Sequence, residues 1–233
     1  MRSSRDRPLN VIAIETSGLI GSIALLKSGR PAEERLFGEG LQHARDLVPA
    51  LAALLDSHGL RTKDVDLYSV ATGPGSYTGL RVGVVTARAL AYSSGKQVVG
   101  VPTMDTLVRN IARDARFACT VIDAKRGEIY MRLFRREEAW AAASQVRVAS
   151  PEEAAESIPQ EAVLVGDALA EYGEFFRTRG LRLAPQELWR PRASAVAELG
   201  VRLFTERGAD DVHTLVPVYV RRPAAEEKKL RAN

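Results

Sequence analysis

The sequence feature that most constrains the fold is a glycine-rich turn, Ala-Thr-Gly-Pro-Gly-Ser-Tyr-Thr-Gly-Leu-Arg-Val-Gly, at residues 71–83. It follows a short apolar run at residues 67–71 and opens a helical pattern that ends near residue 93. Glycine accepts positive φ at little cost and proline restricts its own φ, so this composition predicts a tight turn. A strand that leads directly into a helix is typical of an α/β protein.

Two interpretations of this turn remain open from sequence. The backbone amides at a helix start lack intrahelical partners and could bind an anion such as phosphate. However, the turn lacks the Gly-Lys-Ser or Gly-Lys-Thr ending of a Walker loop, and Gly73, Gly75 and Gly79 do not have dinucleotide-loop spacing. The alternative is a structural turn, whose glycines let the helix pack close to its strand.

The helix after the turn is apolar around most of its circumference. Its small residues Gly79, Gly83, Ala87 and Ala91 recur every four positions and form a row along one face. A helix of this kind needs cover on more than one side. We expect one side to face the protein's own sheet and the other to face either another part of the chain or a second protein.

The rest of the chain predicts two α/β units. A helix is predicted at residues 42–57, and its apolar face is expected to comprise Ala44, Leu47, Val48, Leu51, Leu54 and Leu55. Antiparallel strands are predicted near residues 11–37 and again near 118–148, with helices after each set. These patterns predict an N-terminal domain at residues 9–103 and a C-terminal domain at 104–222. A basic extension at residues 1–8 and a charged tail at 223–233 are expected to be flexible.

Composition narrows the class of protein. Hydrophobic content of 45% and charged content of 27% are ordinary for a soluble globular protein. No apolar run approaches the roughly 20 residues that a membrane-spanning helix needs. One cysteine, Cys119, cannot form an intramolecular disulfide, which favours a cytoplasmic protein. The net charge of +4 comes from the two ends of the chain and leaves the body near −1, so any RNA contact is expected to be auxiliary.

No complete catalytic constellation is visible in the sequence. Three histidines are too few for a dedicated cluster, and no nucleophile-elbow or metalloprotease motif is present. Asp123 and Asp167 each follow an apolar strand, where a carboxylate could hold a magnesium ion or act as a base. Each could equally cap a turn or a helix.

Four segments resemble one known family: residues 72–83, the helix that begins at 42–43, residues 123–130 and residues 217–221. Together they are similar to the bacterial TsaB (YeaZ) family, from about residue 9 to residue 221. The resemblance implies an α/β fold of two RNase H-like, actin-like subdomains of the ASKHA superfamily, each a mixed sheet with helices. It also implies a non-catalytic role in making the threonylcarbamoyl group on tRNA, as partner of the catalytic subunit TsaD and the ATPase TsaE.

The resemblance assigns two groups of residues. The family's TsaD interface and its homodimer use the first two N-terminal-domain helices, which here implies His43, Leu47, Leu51, Leu54, Gly79, Gly83, Ala87 and Ala91. A vestigial nucleotide or phosphate site would comprise Thr16, Ser17, Gly73, Gly75, Ser76, Asp123 and Gly166.

The same resemblance implies no catalytic residue and no metal. The catalytic relative's His-Met-Glu-Gly-His motif corresponds here to residues 103–107, where Thr103 and Leu107 replace both histidines. No cofactor is expected beyond weak nucleotide binding in the complex, and tRNA is expected to be reached only through the complex.

Two rival functions remain. One is an ATP-dependent kinase or phosphotransferase of the same superfamily, and the other is a peptidase of the M22 type, an older label of the family. Glu15 stands where the family usually has aspartate, and Lys125 and Arg126 stand where ATPases of the superfamily keep glycines. These substitutions favour the non-catalytic subunit over the enzyme.

Overall fold

A computed structural model describes residues 8–39 and 42–221, and the chain divides into two compact units. Among the described residues, the first unit contains residues 8–39, 42–106 and Pro191–Pro217, and the second contains Leu107–Arg190 and residues 218–221. Each unit is a mixed β-sheet with helices, which confirms the predicted fold class.

The first unit is built on a five-stranded sheet. Its strands are β1 (Val11–Glu15), β2 (Ile20–Lys27), β3 (Arg30–Glu39), β4 (Leu67–Gly73) and β5 (Gln97–Pro102). Their order in the sheet is β3-β2-β1-β4-β5. The first three strands form an antiparallel meander, whereas β1, β4 and β5 run parallel, as crossover connections through helices require.

Helices cover both faces of this sheet. On one face lie α1 (His43–Ser57) and α2 (Tyr77–Ser94), and on the other lies α6 (Ala193–Arg207). The short helix α3 (Thr103–Leu107) follows β5, and the helices of the second unit are α4 (Pro151–Ser157) and α5 (Leu169–Thr178). Ile12 and Ile14 of β1 lie in the core beneath α1 and α2, whereas Val11 and Ala13 lie in the core beneath α6. The two-residue period of a strand explains why β1 is apolar at every one of these positions.

The second unit is built on a six-stranded sheet. Its strands are β6 (Phe117–Lys125), β7 (Glu128–Arg136), β8 (Trp140–Ala142), β9 (Arg147–Ala149), β10 (Val163–Val165) and β11 (Arg182–Leu183). The strand order is β11-β10-β6-β7-β8, and β9 also pairs with β7. The short strands β8 and β11 lie at opposite edges and carry too few residues for a recognisable sequence pattern.

The division of the chain differs from the predicted boundary in two segments: the first unit extends to Thr106 instead of residue 103, and it includes a later segment of the chain. Residues 191–217 belong to the first unit rather than to the C-terminal domain. The reason is that α6 carries Ala193, Val196 and Ala197 onto the sheet of the first unit, where they are fully buried. The predicted flexible ends lie outside the described residues, apart from Pro8. No helix within residues 8–39 and 42–221 is both long and apolar enough to cross a bilayer.

Candidate functional site

The β1–β2 loop and the β4–α2 turn press together at the carboxyl ends of two parallel strands. The amide of Ser76 donates to the carbonyl oxygen of Ser17 at 2.7 Å. A β-carbon on Gly75, whose φ is +156°, would lie 2.6 Å from the same carbonyl oxygen. Glycine is therefore required at position 75, both for its conformation and for the close approach of Ser17.

The same turn is fixed by two further hydrogen bonds. Gly73, at φ +112°, donates its amide to Oγ1 of Thr103 at 3.1 Å. Oγ of Ser76 accepts the amide of Gly79 at 3.2 Å and so caps the start of α2. The structure thus brings together the N-terminal members of the predicted nucleotide or phosphate site, which are Thr16, Ser17, Gly73, Gly75 and Ser76. Each has a packing or hydrogen-bonding role in the turn, as the structural interpretation requires.

The small-residue row of α2 faces the protein's own β1–β2 loop and sheet. A β-carbon on Gly79 would lie 2.1 Å from the carbonyl oxygen of Thr16, and one on Gly83 would lie 2.2 Å from Oγ1 of Thr16. Ala87 and Ala91 are fully buried in the core beneath α1 and α2. The expectation that this row is an uncovered partner surface is therefore wrong, because the small side chains serve close packing of α2 on its own sheet.

The interface residues assigned to α1 are also buried. Leu47, Leu51 and Leu54 are at most 4% exposed and belong to the same core. The imidazole Nε2 of His43 lies 3.0 Å from the carbonyl oxygen of Gly18, so the first residue of α1 is fastened to the β1–β2 loop. In this structure none of the eight assigned residues of α1 and α2 is exposed at the surface, which corrects the assignment.

A different set of side chains forms the outer face of these two helices, which contact one another. Val48 of α1 is 56% exposed, and Val85 and Tyr92 of α2 are 60% and 68% exposed. Small exposed residues of the same helices are Ala44, Ala52, Ala53 and Ala89. Ala44 and Val48 were expected on the buried face. We call the set formed by Val48, Val85 and Tyr92 the outer apolar face.

Sequence reasoning missed this face although a signal was present. Val85 and Tyr92 are seven residues apart, which places them on one side of a helix, two turns from each other. Because nearly all of α2 is apolar, the four-residue row of small side chains was the more conspicuous pattern. Only the position of the sheet shows which of the two apolar sides is covered.

A buried carboxyl group lies at the end of β1. Glu15 is 1% exposed, and its Oε1 accepts the amide of Ser17 at 2.5 Å. Its Oε2, like Oγ1 of Thr16, has no hydrogen-bond partner among the described residues. Burial raises the pKa of Glu15 to about 7, although the hydrogen bonds from Ser17 act in the opposite direction. The carboxyl group therefore holds its proton to a higher pH than an exposed glutamate does.

The second unit places two aspartates next to each other. The amide of Asp123 donates to Oδ1 of Asp167 at 3.0 Å. Oδ1 of Asp123 accepts the amide of Lys125 at 2.7 Å, and its Oδ2 accepts the Lys125 ammonium at 2.5 Å. Desolvation and the neighbouring Asp123 carboxylate raise the pKa of Asp167, whereas the hydrogen bond to Asp123 raises the pKa of Lys125. Asp123 therefore structures its own turn, as the turn-capping alternative proposed.

The glycine of the second unit also has a packing role. Gly166 has φ of +143°, and a β-carbon there would lie 1.8 Å from the carbonyl oxygen of Val121. No other residue fits between β6 and the start of α5 without moving a strand. Asp123 lies near the carboxyl end of β6, and Gly166 directly follows β10. These two strands run parallel, so both residues lie at the same edge of the sheet.

Thr103 and Leu107, which the resemblance predicts at the positions of the relative's metal ligands, are both used in the packing of the protein. Oγ1 of Thr103 accepts the amide of Gly73, and Leu107 is completely buried. Within residues 8–39 and 42–221, no group of three or more histidine, cysteine or acidic residues is arranged to hold a metal ion. A threonine engaged with the backbone and a leucine cannot replace two imidazole ligands.

Comparison with known proteins gives concordant results. A family model described as "TsaD: tRNA N6-adenosine threonylcarbamoyltransferase" matches residues 40–229. The tRNA threonylcarbamoyladenosine biosynthesis protein TsaB of Bacillus subtilis is 29% identical over 228 residues, covering 94% of this chain and 97% of the relative. The protein of the same name from Escherichia coli is 28% identical, covering 94% and 98%. The solved structure of YeaZ from Pseudomonas aeruginosa is similar, with a TM-score of 0.81 and 25% sequence identity, covering 91% of this chain and 100% of that chain.

Two mixed α/β units with glycine-lined turns at the ends of parallel strands define a protein of the actin-like, ASKHA class. The chain belongs to the TsaB (YeaZ) family, and the resemblance seen in its sequence is confirmed.

Proposed function

We propose that this chain is a non-catalytic subunit of the complex that makes N6-threonylcarbamoyladenosine in tRNA, and that it binds a TsaD-like catalytic subunit. Its curated relatives are named for threonylcarbamoyladenosine biosynthesis, and they align with nearly the whole chain. Binding through α1 and α2 is retained from the sequence prediction, but the contact surface is revised to the outer apolar face.

The observation that carries this proposal is the exposure of large apolar side chains on two neighbouring helices. Val48, Val85 and Tyr92 are each more than half exposed, whereas the opposite sides of the same helices are buried. Apolar patches of this kind are typical of protein–protein contacts. The alanines on the same surfaces would let a partner helix approach closely.

A non-catalytic role is supported by the residues that replace the metal ligands. Thr103 is used to hold Gly73, and Leu107 is part of the interior, so neither is available for chemistry. We propose further that a TsaE-like ATPase joins the complex, that the isolated chain forms a homodimer through the same helices, and that the chain meets tRNA within the complex.

The test is complex formation with the catalytic subunit of the same organism on a sizing column. The double variant V85D/Y92D should lose at least tenfold in affinity, because two carboxylates would have to be desolvated at the contact. Leu36→Asp is the matched control: Leu36 is 60% exposed, like Val85, but lies on the other face of the sheet, and binding should be unchanged. Undiminished binding by V85D/Y92D, with its fold retained by circular dichroism, would contradict the proposed interface.

The rival enzymatic functions are tested separately. Calorimetry of the isolated chain with Mg-ATP should show neither tight binding nor turnover. Tight binding with phosphoryl transfer would favour the ATP-dependent kinase, and cleavage of a peptide substrate would favour the M22-type peptidase.

A further inference from the structure

We propose that the second unit carries a binding surface for the sugar-phosphate backbone of RNA, formed by the loop at residues 109–116 and the β7–β8 hairpin. The surface comprises Arg109, Arg113, Arg116, Arg135 and Arg136, and we call it the arginine patch. This inference rests on the proposed function only in its choice of RNA, because a tRNA-modifying complex brings that polyanion to the protein.

The loop of the arginine patch is fastened to the sheet by one side chain. The guanidinium of Arg136 donates to the carbonyl oxygens of Ile111, Ala112 and Ala115 at 3.2–3.3 Å. The backbone amide of Arg136 donates to the carbonyl oxygen of Arg116 at 2.8 Å. These bonds hold the loop against β7, so the arginines of the loop are presented from an ordered surface.

Positive charge accumulates at this surface. Residues 109–116 and 135–140 contain five arginines and three acidic residues, whereas the body of the chain is close to neutral. Desolvation and the nearby Arg113 and Arg109 lower the pKa of Arg136, although Asp114 acts in the opposite direction. Like charges held this close repel one another, and a bound polyanion would relieve that repulsion.

Two arginines of the loop are available to a ligand. Arg113 and Arg116 are exposed, and among residues 8–39 and 42–221 the structure records no salt bridge for either side chain. By contrast, Arg135 is paired with Glu137 at 2.5 Å, the arrangement usual for a solvated surface arginine. A guanidinium presents several N–H donors in a planar fork, which suits a phosphate group.

An aromatic side chain completes the patch. The guanidinium carbon of Arg136 lies 4.1 Å from the centroid of the Trp140 ring. The indole Nε1 of Trp140 is buried and has no acceptor among the described residues. This stack fixes the Arg136 guanidinium beside the loop. The exposed donors of Arg113 and Arg116 suit the acceptor-rich phosphate backbone of RNA better than a mixed-charge protein surface.

The test measures the salt dependence of RNA binding by the isolated full-length chain. The probe is a fluorescently labelled, unmodified tRNA transcript, followed by anisotropy between 50 mM and 200 mM salt. In R113Q/R116Q the slope of log K against log salt should fall in magnitude by roughly 2, and affinity at low salt should fall about tenfold or more. The matched control is R177Q/R182Q: Arg182 lies on β11, at the opposite edge of the same sheet, and both residues are exposed.

Several results would overturn the arginine patch. The first is that the wild-type chain does not bind the transcript. The second is that R113Q/R116Q leaves the slope of log K against log salt unchanged, and the third is that the control variant loses as much affinity for the transcript. The third result would mean that net charge or the basic ends carry the binding. If R113Q/R116Q instead weakens assembly with the catalytic subunit and leaves RNA binding intact, the patch is a protein contact and the RNA proposal fails. If V85D/Y92D bound the catalytic subunit as tightly as the wild type, the proposed function would be contradicted. The RNA-binding measurements on R113Q/R116Q would be unaffected.

Discussion

The carbonyl oxygen of Thr16 lies 2.1 Å from the point that a β-carbon on Gly79 would occupy. The glycine is needed for space, since its φ is not positive. Because Thr16 belongs to the β1–β2 loop and Gly79 to the first turn of α2, this contact fixes how closely the helix approaches the sheet. A backbone oxygen cannot move aside cheaply, so the contact is a sensitive point of the first unit.

Gly79→Ala should therefore destabilise the protein despite the better helix propensity of alanine. We expect a loss of about 1–3 kcal/mol in the free energy of unfolding, the usual cost of overpacking. Chemical denaturation of the variant and the wild type measures this change in the free energy of unfolding. Gly173→Ala is the control: Gly173 is also helical, but its nearest neighbour is a leucine side-chain atom at 3.2 Å, which can shift. A stability of Gly79→Ala equal to or above that of the wild type would contradict the close contact.

Ala87→Glu should unfold or strongly destabilise the first unit. Ala87 is fully buried, and a carboxylate left there without a partner is expected to cost on the order of 3–5 kcal/mol. Ala89→Glu, two residues further along the same helix, places the same group on an exposed position and should keep the melting temperature within a few degrees. If Ala87→Glu retained full stability and only lost its partner, the row of small residues would be the interface after all.

Glu15 should make stability depend on pH. Its pKa is raised from 4.5 to about 7, so between these values the folded protein keeps a proton that the unfolded chain releases. The stabilising contribution of the protonated group is complete below pH 4.5 and is lost as pH rises to about 7. Glu15→Gln carries no charge, so its stability relative to the wild type should increase by up to roughly 3 kcal/mol between pH 4.5 and pH 8.

Urea denaturation of both proteins across this pH range measures the effect of Glu15. The control is Glu187→Gln, which removes a carboxylate at an exposed position. The free energy of unfolding of Glu15→Gln relative to the wild type is the quantity to compare. If it stayed constant with pH, or decreased above pH 7, the burial of a neutral carboxyl group would be contradicted.

Glu34→Ala should loosen the start of α6. The N-cap of this helix, Arg192, has no side-chain capping bond, and Glu34 of β3 takes that role. Its carboxylate accepts the amide of Ser194 at 3.3 Å, the hydroxyl of Ser194 at 3.0 Å and the guanidinium of Arg192 at 2.7 Å. Loss of such a cap is expected to cost about 1–2 kcal/mol of stability.

The amide hydrogen exchange of residues 194–196 should report the Glu34→Ala effect locally, with faster exchange in the variant. Glu33→Ala is the neighbouring control, since Glu33 pairs with Arg35 at the surface and should contribute less. Equal exchange rates at the start of α6 in Glu34→Ala and the wild type would show that Glu34 is not the cap.

Much of the architecture could be predicted from local patterns. The alternation of apolar residues indicated strands and helices in both units, and the glycine-rich turn indicated the passage from β4 into α2. The turn residues were identified because their conformations depend on near neighbours in sequence. Strand β11, with two residues, was too short to leave such a pattern.

The sequence alone determined the family and the order of most strands and helices. The tertiary structure decided which side of α2 is covered, where α6 packs and which side chains remain exposed at Val85 and Tyr92. The physical reason is that small side chains permit close packing against any apolar surface. Helical spacing shows that Gly79, Gly83 and Ala87 share a face, but only the position of Thr16 and the sheet shows that the protein itself covers it.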